Sequence, residues 1–273
     1  MEEILTGRYA PRVPVPRSIR LVTWNIERGE RLRDAGVFLH QSGADVFALQ
    51  EVDLNTNRSG NLNVADVIGR VEKLDYALGI AFQEMNQGAE AYQGQATLSR
   101  FPVLNPRVIH FHDQSKFWKP RWWVPNTPPF QERLGGRIAL VTEIPIGTGF
   151  FVLYNLHLES RGDEDLRARQ LHEAINDADR YPNSVPIVIA GDLNTKHRSS
   201  PCLSLLAKTG FRDVIGDPKH FTTNRGGSFA RILIDGALDW IWVRGPMQFS
   251  GGRIHEDIVK ASDHWPLSVV LSV

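Results

Sequence analysis

One cysteine, Cys202, stands among 273 residues. A single thiol makes no internal disulfide and supports no cysteine-built zinc site, so it reads as a core residue. Excess charge is missing as well: 31 Lys and Arg balance 31 Asp and Glu. No bulk field drives the chain onto nucleic acid or an anionic membrane, and any such attraction has to come from a local basic patch. Apolar runs are short, and none approaches the roughly 18–20 residues of a membrane-crossing helix. Residues 1–17 hold no basic start followed by a continuous apolar stretch, so a cytoplasmic location is expected. Fixed-period repeats and low-complexity linkers are lacking too. At about 100–200 residues per domain, the length then favours one large domain. It is expected over 18–273, behind an irregular lead over 1–17 in which Pro11, Pro14 and Pro16 restrict the backbone.

What is present suits a folded domain. The chain is 42% hydrophobic and 23% charged, enough apolar material for a substantial core. Short apolar runs predict strands over 18–25, 45–50, 74–80, 95–100, 103–111, 185–192, 239–243 and 266–273. Residues 137–145 and 150–158 read as paired strands joined at Gly147–Thr148–Gly149. Helical spacing of apolar residues predicts helices over 30–42, 61–73 and 163–179, and Ser200–Pro201 reads as an N-cap followed by proline at the first helical position. Strands outnumber helices without strict alternation, which excludes a βα-barrel and favours an α+β or layered α/β architecture.

Polar residues recur at the ends of these apolar strands: Asn25, Glu51, then Asn155, His157 and Glu159, then Asp192 and Asn194, then Asp239, Asp263 and His264. One such residue is most often a turn former or helix cap. A whole series of carboxylates, amides and imidazoles fits one task. Carboxylate and amide oxygens suit a hard cation such as Mg²⁺, which is usually held by one or two carboxylates plus substrate phosphate. A phosphodiester repels nucleophiles by its charge, so its hydrolysis needs charge neutralisation, an activated water and a stabilised leaving oxygen. Asp, Asn, His and a metal supply these.

The series TWNIE (23–27), LQEVD (49–53), GQATLSRFPV (94–103), NLHLES (155–160), GDLNT (191–195), LDWIWV (238–243) and SDHWPL (262–267) resembles the endonuclease/exonuclease/phosphatase, or DNase I-like, superfamily, in its bacterial metal-dependent form. The resemblance runs from about residue 18 to the last residues, with the motifs in family order. It implies a four-layer α/β/β/α sandwich, in which two mixed, mainly antiparallel sheets are flanked by helices and the site lies at one edge. It further implies Mg²⁺, with Mn²⁺ as a substitute, held by Asn25 and Glu51 with a contribution from Asp263. Asp192 corresponds to the residue that orients or deprotonates the attacking water, and Asn194 to the one that positions Asp192 and the phosphate. His264 corresponds to the histidine that stabilises the phosphoryl charge, and Asp239 to the carboxylate that holds its tautomer. His157 matches the DNase I-like and sphingomyelinase-like branches. The abasic-site endonuclease branch carries Tyr there, which points away from abasic-site repair.

Several readings stay open. Asn155 and Glu159 are support residues or ligands. Arg58, in a polar loop after Glu51, and Arg137, after Gly135–Gly136, are either phosphate-binding or ordinary surface and strand-edge arginines. The segment 111–130 interleaves Phe111, Phe117, Trp118, Trp122, Trp123 and Phe130 with Lys116, Lys119 and Arg121. That mixture suits a nucleic-acid stacking platform, a lipid interface, or a proline-stiffened cover over a sheet edge, the last being the expected one. The function expected is a metal-dependent phosphodiesterase acting on nucleic acid as a monomer with no obligate protein partner. The rivals are a phospholipid-headgroup phosphodiesterase and a catalytically silent binding protein of the same fold.

Overall fold

The computed structural model describes residues 3–120, 132–195, 199–217, 221–223, 236–256 and 261–273. Arg121, Trp122, Trp123 and Phe130 of the aromatic segment lie outside the described residues, as do His197 and His220.

In chain order the elements are β1 (Ile4–Gly7), β2 (Ser18–Arg28), α1 (Leu32–Gln41), β3 (Val46–Leu54), α2 (Val64–Glu72), β4 (Asp75–Glu84), β5 (Tyr92–Ser99), β6 (Leu104–His110), β7 (Arg133–Gly135), β8 (Ile138–Ile146), β9 (Gly149–His157), α3 (Glu164–Ala178), β10 (Ile187–Asp192), α4 (Pro201–Lys208), β11 (Arg212–Asp213), β12 (Asp239–Arg244), β13 (Gln248–Ile254) and β14 (Leu267–Ser272). The first sheet runs β1-β4-β5-β3-β2-β14-β13, with β7 also on β4; the second runs β11-β12-β10-β9-β8-β6. Among the described pairs, β2 with β3 and β10 with β9 are parallel and the rest antiparallel. The four-layer architecture implied by the sequence motifs is the architecture observed. The lead over 1–17 departs from its expected irregularity: Ile4–Gly7 forms an edge strand whose four residues pair with Tyr76–Gly79. A four-residue strand is too short to carry a periodic signal, so only pairing with β4 reveals it.

Three apolar clusters fill the three spaces between four layers. Val22, Trp24, Phe47 and Leu49 pack against Phe38, Leu39 and Ile68 of α1 and α2. Ile187, Ile189, Tyr154 and Trp240 pack against Leu171, Ile175, Cys202 and Leu206 of α3 and α4. Between the sheets, Ile19, Leu21, Val46 and Ala48 meet Phe151, Leu153, Val188, Ala190, Ile241 and Val243. Cys202 is buried, in keeping with a core role. Helix starts follow local chemistry. Asn63 accepts the Asp66 N–H at 3.0 Å and Asp163 accepts the Leu166 N–H at 2.7 Å, while Ser200 caps a helix with Pro201 in its first turn.

Period-two alternation gives each central strand one face toward the other sheet. Along that inner face the residue type changes in one direction. β2 presents Ile19, Leu21, Thr23, then Asn25. β3 presents Val46, Ala48, then Gln50. β9 presents Phe151, Leu153, Asn155, then His157, and β10 presents Val188, Ala190, then Asp192. β12 runs the other way and begins with Asp239. Apolar residues therefore hold the middle of the sandwich and polar residues crowd one edge.

That edge requires close backbone approach. Gly191, just before Asp192, sits at φ 143°, and a Cβ there would lie 1.9 Å from the Leu156 carbonyl oxygen. Gly191→Ala is expected to destabilise the fold by about 3 kcal/mol through backbone strain and overpacking. Thermal unfolding reads this, and an unchanged Tm would contradict the packing described.

Candidate active site

Register alone aligns three polar side chains of the second sheet. Asp192 pairs with His157 across β10–β9 and with Asp239 across β10–β12. Residues in register on neighbouring strands share a face, so all three point toward the first sheet. His264 arrives from the turn before β14. Ser262 fixes that turn: its hydroxyl donates to the Asn25 carbonyl at 2.6 Å and accepts the His264 N–H at 3.1 Å. Trp24 Nε1 donates to the His264 carbonyl at 2.9 Å.

These groups converge on one oxygen. Asp192 Oδ2 accepts from Asn25 Nδ2 at 3.1 Å, and lies 3.5 Å from His157 Nε2 and 3.8 Å from His264 Nε2. Asp192 Oδ1 accepts the Asn194 N–H at 2.9 Å, while Asn194 Nδ2 donates to the Leu158 carbonyl at 2.9 Å. His264 Nδ1 meets Asp239 Oδ2 at 2.8 Å. Asp239 is held in turn by Thr222, whose hydroxyl accepts the Leu238 and Asp239 N–H groups, each at 3.1 Å. Asn25, His157, Asp192, Asp239 and His264 are all buried.

Glu51 reaches the same edge through a bulge. The β2–β3 register slips between Asn25 and Arg28, and the β3–β5 register slips between Leu49 and Val52. Glu51 takes φ 52° inside the slip, beside Glu27 at 47° and Arg28 at 68°. Asn194 is similarly left-handed, at 51°. Such conformations cost of order 1 kcal/mol or more each for non-glycine residues, and bulges of this kind re-aim side chains.

Burial and charge set the protonation states. Burial pushes the Asp192 carboxyl up to about 7, against the pull of His264 and with the help of Asp239. Burial works against charge on His264 too, but Asp239 and Asp192 outweigh it and hold the imidazole well above its usual range, as a cation. Burial and then Arg137 hold His157 well below its usual range, so it is neutral. Burial raises the Glu51 carboxyl, but Arg28 above all, with Arg133 and Arg137, draws it below the usual carboxylate range, so it is ionised.

Asp192, Asp239 and His264 offer donor atoms that all lie within 4.8 Å of one another, a grouping that can hold a cation. His264 suits that task poorly, because its Nδ1 is engaged by Asp239 and a protonated imidazole has no lone pair to give. Glu51 suits a hard cation better. Its carboxylate is ionised, its side chain is 18% exposed, and Arg28 Nε stands off at 3.6 Å. Among the described residues no hydrogen bond is donated to it. Among the described residues, Asn25 Oδ1 accepts only the Glu27 N–H, at 3.1 Å. Oxygen donors in this setting fit Mg²⁺ or Mn²⁺.

Asp263 is half-buried next to His264 and close enough to Glu27 to raise its carboxyl, after burial. Arg137 is buried, with Nη2 3.3 Å from the Ser160 hydroxyl, and is no surface arginine. Arg58 is turned inward: its Nε and Nη2 clasp the Asp53 carboxylate at 2.7 and 2.8 Å, and Nη2 reaches Glu84 at 3.1 Å. The expected phosphate-binding role of Arg58 gives way to that of a buried ion-pair partner, since its fork is filled by carboxylates. Asn155 is a support residue. It accepts from Gln50 Nε2 at 2.7 Å and donates to the Leu49 and Ala96 carbonyls, tying the sheets together. Glu159 is buried and receives Trp118 Nε1 at 3.0 Å, so this part of the aromatic segment covers the sandwich edge. Arg28, 3.6 Å from Glu51, and Arg133, near enough to lower the Glu51 carboxyl, were not anticipated. Arg28 ends its strand as Asn25 and Glu51 nearly do theirs, which was a usable signal. Arg133 follows no apolar strand and carried none.

Two mixed sheets packed face to face, with carboxylates and imidazoles gathered at one edge, define a class of α/β/β/α hydrolases. The chain belongs to the Endonuclease/Exonuclease/phosphatase family, whose model matches residues 22–264. Members of this family are hydrolases acting on phosphoester bonds. Among solved structures, an endonuclease/exonuclease/phosphatase from Beutenbergia cavernae DSM 12333 is similar with a TM-score of 0.66 at 19% identity, over 94% of this chain and 72% of that one. A Bacteroides vulgatus endonuclease/exonuclease/phosphatase is similar at 0.65 and 18% identity, over 94% and 99%. D. rerio TDP2 complexed with single strand DNA product is similar at 0.63 and 18% identity, again over 94% and 99%. At these identities the likeness is one of fold. A search of curated proteins finds no match.

Raised carboxyl and imidazole pKa values make stability fall as pH rises. The Asp192 contribution is whole below its ordinary value of 3.8 and is lost as pH climbs to about 7. The His264 contribution is whole below 6.5 and is lost above it. His157, with its lowered pKa, works the other way below 6.5, so the difference between proteins is the readout: in EDTA, Asp192→Asn is expected to lose less Tm than the wild type between about pH 4 and 7. Equal slopes for the two proteins would contradict the assignment.

Proposed function

We propose that the chain is a divalent-metal-dependent phosphodiesterase whose substrate is nucleic acid. The observation that carries this reading is the convergence of Asn25, His157 and His264 on Asp192 Oδ2, beside an ionised Glu51. Asn25 and Glu51, with Asp263 at the half-buried margin, would hold Mg²⁺ or Mn²⁺. The ion supplies charge neutralisation at the phosphoryl oxygens.

The remaining work falls to the protein. Asp192, with its pKa near neutral, takes the proton of the attacking water, a match of base strength to operating pH that favours general-base catalysis. Asn25 and Asn194 hold its two oxygens, so the base is oriented before substrate arrives. The His264 cation meets the charge that builds on the phosphoryl oxygens. Asp239 keeps a proton on His264 Nδ1, which leaves Nε2–H directed at the phosphate. Neutral His157 contributes an N–H to the phosphate or to the departing oxygen, and Arg137 adds a buried positive charge beside it. Nucleic acid is favoured as substrate because D. rerio TDP2, of the same fold, holds a single strand DNA product.

A panel of single- and double-stranded DNA, RNA, sphingomyelin and bis-p-nitrophenyl phosphate, run with Mg²⁺, Mn²⁺, Ca²⁺ or EDTA, tests this reading. Turnover of nucleic acid that EDTA abolishes is expected; metal-independent turnover, or turnover of sphingomyelin alone, would contradict it. Glu51→Gln should weaken Mg²⁺ binding in calorimetry and lower activity together, and unchanged Mg²⁺ affinity would remove Glu51 from the metal site. His264→Ala should lower turnover about 10²–10³-fold, the usual loss for a group that stabilises transition-state charge. Near-full activity in a folded His264→Ala protein would exclude that role.

A further inference from the structure

On the Glu51 flank the chain steps from one sheet to the other. β7 pairs with β4 in the first sheet, and β8 opens in the second at Ile138. Gly135 and Gly136 make the step possible: a Cβ on Gly135 would lie 2.2 Å from the Ala81 carbonyl oxygen, and one on Gly136 2.5 Å from the Gln114 side chain. The step sets Arg133 and Arg137, each 3% exposed, on the same aromatic ring. Both guanidinium carbons lie 5.4 Å from the centroid of Phe82. Trp118 lies 4.8 Å from the Arg133 guanidinium, and its carbonyl accepts the Arg133 N–H at 2.8 Å. Gln114 fixes Arg137 by accepting its N–H and donating to its carbonyl, both at 2.8 Å. These arginines are held rigidly before any ligand arrives.

Their charges are unevenly compensated. Asp53 and Glu84 answer Arg58 and Arg133. Glu51 is shared by its surroundings: Arg28 stands 3.6 Å away and also reaches the more exposed Glu30 at 3.3 Å. Among the described residues no carboxylate makes an ion pair with Arg137, whose polar side-chain contact is the Ser160 hydroxyl. Nε of Arg28 and Nε of Arg137 are buried without a hydrogen-bond partner. A buried cation without an anion is costly, and a divalent ion on Glu51 would add two more positive charges. Rigid guanidinium forks are the groups that match phosphate geometry.

We propose that Arg28 and Arg137 form a second phosphate subsite beside Glu51 that grips a non-scissile phosphate of the substrate, with Arg133 held behind them by Glu84. The inference rests on the phosphodiesterase reading and deepens it. The preferred substrate is a nucleotide chain carrying a phosphate next to the bond that is cut. A phospholipid with a choline headgroup offers an ammonium there, which this flank repels.

Two dinucleotides separate the outcomes: thymidylyl-thymidine with a 5′-phosphate, and the same compound without it. Charge-assisted hydrogen bonds of this kind contribute enough for the wild-type kcat/KM to favour the phosphorylated compound by roughly 10–100-fold. Arg28→Gln, at a position 31% exposed, should bring that ratio toward one. Arg137→Lys keeps the charge but loses the fork, and should do the same. Calorimetric binding of the two dinucleotides in EDTA supplies a readout independent of turnover, with the same order and the same losses expected. A wild-type ratio near one, or a ratio unchanged in both variants, would overturn the subsite. If no diester is turned over, the phosphodiesterase reading fails, and the EDTA binding still decides: tighter binding of the phosphorylated compound upholds the subsite, and equal binding overturns it.

Discussion

A carboxylate buried at the seam of two sheets is the constraint from which the rest of this structure follows. Asp192 ends a strand of one sheet and accepts a hydrogen bond at 3.1 Å from Asn25, which sits on a strand of the other. A buried carboxylate is tolerable only when it is hydrogen-bonded and faced by positive charge. Here Asn25, the Asn194 N–H and the His264 cation meet that need. Each of them then requires its own support. His264 needs Asp239, Asp239 is steadied by Thr222, and the turn carrying His264 needs Ser262 and the Trp24 indole. The site is therefore a consequence of how two layers close on each other and belongs to neither sheet alone.

The same seam explains where strain is kept. The middle of the sandwich is apolar and close-packed, so its strands run in regular register. At the polar edge, the β2–β3 and β3–β5 ladders slip, and Glu27, Arg28 and Glu51 take left-handed conformations. A regular β3 would point Glu51 to the face opposite Gln50, toward the helices, because side chains alternate. The bulge brings it to the inner edge, where Arg28, Arg133 and Arg137 keep it ionised. One flank of the edge is thus acidic but held charged, and the other carries a carboxyl with its pKa near neutrality beside an imidazolium. Environments that drive titratable groups apart in this way are how acid and base roles are divided within one pocket.

Much of this was legible in the sequence. His157, Asp192 and Asp239 each abut an apolar run, and strand register then forces them together. Asn25 and His264 were carried by the motifs TWNIE and SDHWPL. Other parts were hidden for physical reasons. The edge strand Ile4–Gly7 and the three-residue β7 are too short to show a period, and β13 alternates weakly, with two glycines at Gly251 and Gly252. Arg58 looked like a phosphate ligand because its loop is polar. Nothing local announces that Asp53, five residues earlier, and Glu84, from another strand, fill its fork. Arg133 is set near Glu51 by β7, a three-residue strand paired with β4, which the sequence pattern does not announce.

In the proposed reading the two flanks of the seam form a single substrate path, with bond cleavage at Asp192 and His264 and a neighbouring phosphate gripped at Arg28 and Arg137. A crystal structure with a non-hydrolysable phosphorothioate trinucleotide and Mg²⁺ tests that claim most directly. The expected result is one phosphate facing both Asp192 Oδ2 and His264 Nε2, the metal on Glu51, and a second phosphate against Arg28 and Arg137. A strand seated elsewhere on the sandwich, or a metal held by Asp239 and His264 with Glu51 left bare, would contradict it.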